Sequence, residues 1–208
     1  MSLALYELAL AEQLDPLLRW ADGSSEPLAV QRWLGTLDRA DRALLARVQG
    51  PTLDVGCGPG RLVAGLAAQG RRALGLDISS LAVRLTRRRG AAAARGDIFA
   101  AGVPGEGRWS DVLLADGNIG IGGSPTRLLR RCGAVASPQG RVHVEVGAPG
   151  SCAVPSAVRL EVGGRVGAWF SWGRVTVDTV GDAAAVAGLQ VDEIWELGGR
   201  WFAELTHP

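Results

Sequence analysis

The spacing of apolar positions divides the chain into three stretches. In the first, Leu3, Tyr6, Leu10 and Leu14 recur at helical spacing. Asp15-Pro16 and Ser25-Glu26-Pro27 can each cap and restart a helix, the second ahead of LAVQRWLG. A further helix is expected over about Asp38 to Val48, so residues 1–50 read as helical. From Pro51, short apolar runs alternate with helical segments. TLDV (52–55), ALGLD (73–77), DVLLA (111–115) and RVHVEV (141–146) read as strands. Alanine favours helix, so the alanine-rich 91–94 is taken as a strand only from its place in the alternation. Helices are expected over 61–69, from Ser79 to about Arg89, and over 125–135. This βαβ rhythm implies an α/β fold, a parallel sheet with helices on both faces. Beyond Gly147, VRLEV and RVGAWFSW read as an antiparallel pair around Gly163-Gly164. A helix over about 180–188 follows, and the chain closes in two strands joined by Gly198-Gly199.

Composition narrows the function classes. With 208 residues, no repeats and no linker, one domain is expected over 1–208. The formal net charge of +1 gives no basic field for nucleic acid or acidic lipid. All 22 cationic side chains are arginine, which excludes any mechanism that needs a lysine. Cys57, Cys132 and Cys152 match no zinc or redox spacing, so no metal site is expected, and their odd number argues against a disulfide framework. A reducing, cytoplasmic location fits this usage. The opening MSLALYELALAEQLD carries Glu7, Glu12 and Asp15 and no basic region, unlike a signal peptide or membrane span.

The segment with the most chemical content is Leu53-Asp54-Val55-Gly56-Cys57-Gly58-Pro59-Gly60-Arg61-Leu62, a strand followed by a glycine-rich turn into a helix. Backbone there can approach a ligand where a side chain would obstruct it, and the amides at the helix start can serve an anionic group. Asp77 ends the second strand, where a carboxylate can accept hydrogen bonds from both ribose hydroxyls. Asp97, followed by Ile98, stands after the third strand, and Asp116-Gly117-Asn118 follows the fourth. The turn has G-x-G-x-G spacing, not the G-x-G-x-x-G of dinucleotide-binding folds.

Together these residues resemble the class I S-adenosylmethionine-dependent methyltransferases, including uncharacterised bacterial small-molecule members, with LDVGCGPGRL close to that family's first motif. The resemblance covers about residues 38–147 and extends to the terminal hairpin. It implies a Rossmann-like, doubly wound, seven-stranded sheet with an antiparallel last strand, in a three-layer sandwich. It also implies S-adenosylmethionine as cofactor, with Gly56, Cys57, Gly58 and Gly60 around its methionyl and ribosyl part and Asp54 ordering that loop. Asp77 and Ile78 would meet the ribose, Asp97 and Ile98 the adenine, and Asp116 and Gly117 would lie near the sulfonium. Residues 1–50 would form a helical lid carrying Tyr6, 51–147 the cofactor-binding core, and 148–208 the acceptor side.

Methyl transfer needs a nucleophile held in line, and a base only if the acceptor keeps its proton until attack. Asp116, Asn118 and His143 are the candidate catalytic residues, although a mid-strand histidine is more often buried and hydrogen-bonded than catalytic. Trp169 and Trp172, in the aromatic run Trp169-Phe170-Ser171-Trp172, are candidates for an acceptor pocket. Arg174 and Arg32 are candidates for a carboxylate, with surface pairing as the plainer reading. The expected activity is methyl transfer to oxygen or nitrogen of a small molecule, by a monomer or homodimer. Two alternatives stay open: an S-adenosylmethionine-binding protein without transferase activity, and a nicotinamide-dependent oxidoreductase. The second is disfavoured by the glycine spacing and the lack of a Tyr-x-x-x-Lys pair.

Overall fold

A computed structural model describes residues 2–151 and 156–208; Cys152 and part of the turn-rich stretch after Gly147 lie outside them. The chain opens with α1 (Leu3–Glu12) and continues through β1 (Leu17–Trp20), β2 (Ser25–Pro27), α2 (Val30–Leu34) and α3 (Arg39–Arg47). The alternating unit follows as β3 (Thr52–Val55), α4 (Arg61–Ala68), β4 (Ala73–Asp77), α5 (Ser80–Arg88), β5 (Ala93–Arg95) and β6 (Trp109–Leu114). After a 3₁₀ segment at Asn118–Gly123 come α6 (Pro125–Val135), β7 (Ala136–Val146), β8 (Ser156–Val162), β9 (Arg165–Val166) and β10 (Phe170–Trp172). The chain ends with α7 (Val180–Ala187), β11 (Gln190–Leu197) and β12 (Arg200–Thr206).

Seven strands form the main sheet in the order β11-β12-β7-β6-β3-β4-β5. The neighbours among β3 to β7 are parallel, while β12, last in the chain, runs antiparallel to both β7 and β11. Alternate strand residues feed opposite faces, as a period of two requires. Val112, Leu114, Val142 and Val144 pack with Leu128 and Leu129 of α6 and Val180 and Ala184 of α7. Leu113 and Phe202 pack on the other side with Leu44 and Leu45 of α3 and Leu62 and Leu66 of α4. The expected three-layer, doubly wound architecture is therefore present.

The amino-terminal region departs from its helical reading. Residues 17–27 form a hairpin, not a restarted helix. Leu18 and Trp20 are buried while Leu17 is exposed, a period of two. Between the strands, the Asp22 carboxylate accepts from the Ser24 amide at 2.8 Å, and Gly23 takes φ +90°. This Asp-Gly turn overrides the helix signal of Pro16. The hairpin then joins a second, smaller sheet ordered β10-β8-β1-β2, with β9 on β8. Arg19 clasps Glu161 of β8 through Nε–Oε1 at 2.8 Å and Nη2–Oε2 at 3.2 Å. The roof over the main sheet is thus woven from two segments far apart in sequence, 17–27 and 156–172.

Candidate functional site

A cavity of about 470 Å³ opens at the carboxyl ends of β3, β4, β5 and β6, beneath the second sheet. Ligands of open α/β sheets bind at this edge. Its floor is the turn from Gly56 to Pro59, and three side chains hold that turn. Asn118 donates its Nδ2 hydrogens to the carbonyls of Val55 and Gly56, both at 2.9 Å. Thr86, on α5, donates to the Gly58 carbonyl at 3.0 Å. Asp77 accepts from the Gly58 amide at 2.9 Å and the Ser79 amide at 2.8 Å. Each carboxylate oxygen of Asp77 keeps a lone pair for a further donor. Burial raises the Asp77 pKa, opposed by those two amides.

The glycines of the turn serve different ends. Gly58 lines the cavity at φ +55°, and a Cβ there would lie 3.3 Å from the Tyr6 hydroxyl. Gly60 does not line the cavity; a Cβ there would fall 2.5 Å from Thr86, so the close packing of α5 accounts for its identity. The Cys57 side chain turns toward Gly75, and burial pushes its thiol pKa far up. Asp54 does not order the loop by hydrogen bonds: among the described residues its carboxylate accepts none. It lines the cavity nearly fully buried, and desolvation first, then the charges of Asp116 and Asp77, raise its pKa to about 8.

Around this floor stand Ile78, exposed on the wall, and Asp97 with buried Ile98. Asp97 accepts from the Phe99 amide at 2.9 Å. Tyr6 of α1 closes the cavity, edge-on to Trp33 with ring centroids 6.5 Å apart. Burial, then the charge of Asp77, hold its phenol pKa well above the usual value. The same helix is anchored by Glu7, whose Oε1 accepts from Ser79 Oγ at 2.7 Å.

Asp116 and Gly117 line the cavity at the end of β6, and Asp116 takes φ +55°, a conformation that aspartate tolerates better than most residues. Its amide donates to Glu145 at 2.6 Å. Its carboxylate accepts from Arg32, from Arg61 at 2.7 Å and from Arg200 at 3.4 Å. Arg61 is buried and pairs as well with Asp41, which is fully buried, and Arg200 reaches Asp41 at 2.8 Å and Glu145 at 2.8 Å. The carboxylate is therefore committed to guanidinium partners. The side chain of Asn118 is likewise committed to the turn, which makes it a positioning residue.

His143 lies off the cavity. It is buried on β7 with Nε2 2.8 Å from Asp111 Oδ1, and Asp111 also accepts from the amides of Gln49 and Gly50, each at 3.0 Å. Burial alone would raise the Asp111 carboxyl, but the His143 and backbone hydrogen bonds outweigh it and hold the pKa below its usual value. This pair staples β6 to β7 and does not reach a ligand. Trp169 is also removed from the site: it is exposed, under the guanidinium of Arg159 at 4.9 Å. Arg174 is occupied by Glu26 at 2.8 Å and by the face of Trp20 at 3.5 Å.

Trp172 does line the cavity, tucked against Gly120, with Phe170 beside it on β10. Leu18, Glu26, Leu28, Phe99 and Ile121 complete that wall. The sequence reading missed these five because they belong to a hairpin read as helix and to loops without a periodic signal. Arg32, a candidate for a carboxylate, meets that of Asp116; Thr86, Arg200 and Arg61 were missed, although Arg61 stands within the glycine motif itself.

A family model described as a methyltransferase domain matches residues 52–140, the span from β3 into β7. A search of curated proteins finds no match. Among solved structures, a SAM-dependent methyltransferase from Bacteroides fragilis bound to S-adenosyl-L-homocysteine is 21% identical, with a TM-score of 0.80 over 99% of this chain and 93% of that one. The CcbJ methyltransferase from Streptomyces caelestis is 17% identical, with a TM-score of 0.63 over 84% of this chain and 92% of that one. The glycopeptide N-methyltransferase MtfA, bound to S-adenosyl-L-methionine, is 15% identical, with a TM-score of 0.62 over 81% of this chain and 93% of that one. The chain has the fold of the class I S-adenosylmethionine-dependent methyltransferases. No helix among the described residues is long and apolar enough to cross a membrane.

Proposed function

We propose that this chain is an S-adenosylmethionine-dependent methyltransferase acting on oxygen or nitrogen of a small molecule. One observation carries the reading: a single cavity joins a bare backbone turn at 56–59, two strand-end acids at Asp77 and Asp97, and an apolar wall of Phe99, Phe170 and Trp172. The donors and acceptors fit the cofactor. Asp77 offers lone pairs to ribose hydroxyls, Asp97 and Ile98 serve the adenine, and Gly58 and Gly117 leave room for close approach, while the space at Gly56 is taken by Asn118 and Ile121. Asp54 provides a buried carboxylate for a cationic amino-acid end. When bound, S-adenosylmethionine supplies an electrophilic methyl group on a positive sulfur. The chain's own residues hold and orient the two reactants, while Tyr6, Trp33 and the second sheet keep water out. In this reading, residues 1–50 and 148–208 roof a core at 51–147 within one domain.

Calorimetry with S-adenosylmethionine, S-adenosylhomocysteine and NAD(H) tests the assignment. Micromolar binding of the first two and none of the third is expected. Tight NAD(H) binding alone would overturn it. Acceptor-dependent release of S-adenosylhomocysteine separates a transferase from a protein that only binds the nucleoside.

A further inference from the structure

The cavity's acceptor wall carries enough chemistry to name a class of acceptor. Leu18, Leu28, Phe99, Ile121, Phe170 and Trp172 form it, with Phe170 and Trp172 edge-on at 6.0 Å between centroids. Such a surface suits a flat apolar body. The charged groups around it are unequal in sign. Asp116 is matched by Arg32, Arg61 and Arg200, and Asp54, its pKa raised to about 8, is uncharged at neutral pH, so the unmatched negative charge of the lining is that of Asp77 and Asp97, with Glu26 half-matched by Arg174. A site of this sign disfavours an anionic ligand and favours a cationic one.

Apart from Glu26, the lining offers the acceptor no free base among the described residues. It contains no histidine. Asp77 is held by two amides, Asp116 by three arginines, and Asp97 by the Phe99 amide, while the Tyr6 phenol keeps its proton. Asp54 lies beneath the glycine turn, in the part assigned to the cofactor. An alkylammonium is far more acidic than an alcohol, so the proton of an amine acceptor can pass through Glu26 to solvent before the neutral nitrogen attacks, whereas a hydroxyl holds its proton much more tightly. Glu26 is the only carboxylate on the acceptor wall. Its Oε2 takes Arg174 at 2.8 Å, and Oε1 has no partner among the described residues. Glu26 also faces a neighbouring polar cleft of about 310 Å³, shared with Trp172 and Gly117, which gives a bound ammonium access to solvent.

We propose that the acceptor is an amine on a flat apolar body, its ring against Phe170 and Trp172 and its ammonium read by Glu26. The proposal rests on the methyltransferase reading above. The test is a titration of three probes that share one ring system, 1-naphthylmethylamine, 1-naphthalenemethanol and 1-naphthoate, followed by calorimetry and by quenching of tryptophan fluorescence. It uses the full chain, with and without S-adenosylhomocysteine. The amine should bind about fivefold tighter than the alcohol, as one partly screened charge-assisted contact gives, and the acid weakest. Glu26→Gln should bring the amine level with the alcohol and leave S-adenosylhomocysteine affinity unchanged. Arg174→Met, which releases Glu26, should widen the amine's advantage. Naphthoate binding tightest, an amine advantage that survives Glu26→Gln, or binding of none of the three would overturn the proposal. Failure of S-adenosylhomocysteine to bind in the same series would instead overturn the cofactor assignment, whatever the order of the probes.

Discussion

The two walls of the cavity are built by opposite means. The cofactor wall comes from short successive βα units: the turn at 56–60, Asp77 and Asp97 each follow the strand that delivers them. Its polar groups are tied to nearby backbone, as Asp77 is to Gly58 and Ser79. The acceptor wall gathers Leu18 and Leu28 from one end of the sequence, Ile121 from the middle and Phe170 and Trp172 from far beyond, and it is almost wholly apolar. The first wall is a rigid, local motif, suited to one fixed ligand. The second is a surface of contacts that can change residue by residue without disturbing the turn. On the proposed reading, binding of the common reagent and choice of the acceptor are thereby separated in the architecture.

Substitutions should break this separation to different degrees. Arg61→Met acts on both walls, because it leaves Asp41 and Asp116 buried beside fewer cations. A loss of about 3–5 kcal/mol is expected in denaturant unfolding, the cost of removing one partner of a buried ion pair. Asp77→Ala should act on the cofactor wall alone, weakening S-adenosylmethionine binding by about 2–3 kcal/mol as charge-assisted hydrogen bonds are lost. Calorimetry would show this, and unchanged affinity would refute the ribose role. Trp172→Ala should act on the acceptor wall alone. About tenfold in the acceptor KM is expected from the lost apolar contact, with the cofactor Kd unchanged. An altered cofactor Kd would show that the walls are coupled.

The smallest binding signal is a fraction of one proton at Asp54. Its folded pKa of about 8 lies above the unfolded value of 3.8, so the native protein keeps a proton that the unfolded chain gives up between those limits. Native stability attributable to this group therefore falls as pH rises from about 4 to 8 and levels off above. The slope is at most about 1.4 kcal/mol per pH unit, one proton's worth. Asp54→Asn should flatten that part of the melting profile. A cation bound beside Asp54 should draw its pKa down, so calorimetry in buffers of different ionisation enthalpy at pH 7 should register proton release, absent in Asp54→Asn.

What could be read from sequence follows the same division. The strands at 52–55 and 73–77, the helix after Ser79 and the helix at 125–135 fall where periodicity and the Ser79 cap place them, because neighbours in sequence decide those elements. The hairpin at 17–27 was hidden: its partner strand lies about 140 positions away, and Pro16 mimics a helix start. His143 illustrates another limit. A histidine in an alternating strand carries no mark of whether it faces a ligand or Asp111, and only the pairing of Leu113 with His143 across β6 and β7 decides. Gly60 carries a third lesson, since a glycine in a ligand-like motif can be demanded by its own φ of +81° and by Thr86, 2.5 Å from where a Cβ would lie.

The pairing of β1 with β8 also bears on how the chain is made. Leu18 and Trp20 are synthesised well before Leu160 and Val158, the partners they pair with about 140 residues further along the chain. Until then a short apolar strand has an open edge, the kind of surface that nascent-chain chaperones shield and that self-associates when left bare. Removing the first 27 residues should accordingly turn β8 into such an edge, so an amino-terminal truncation would precipitate during expression before its loss of activity could be measured.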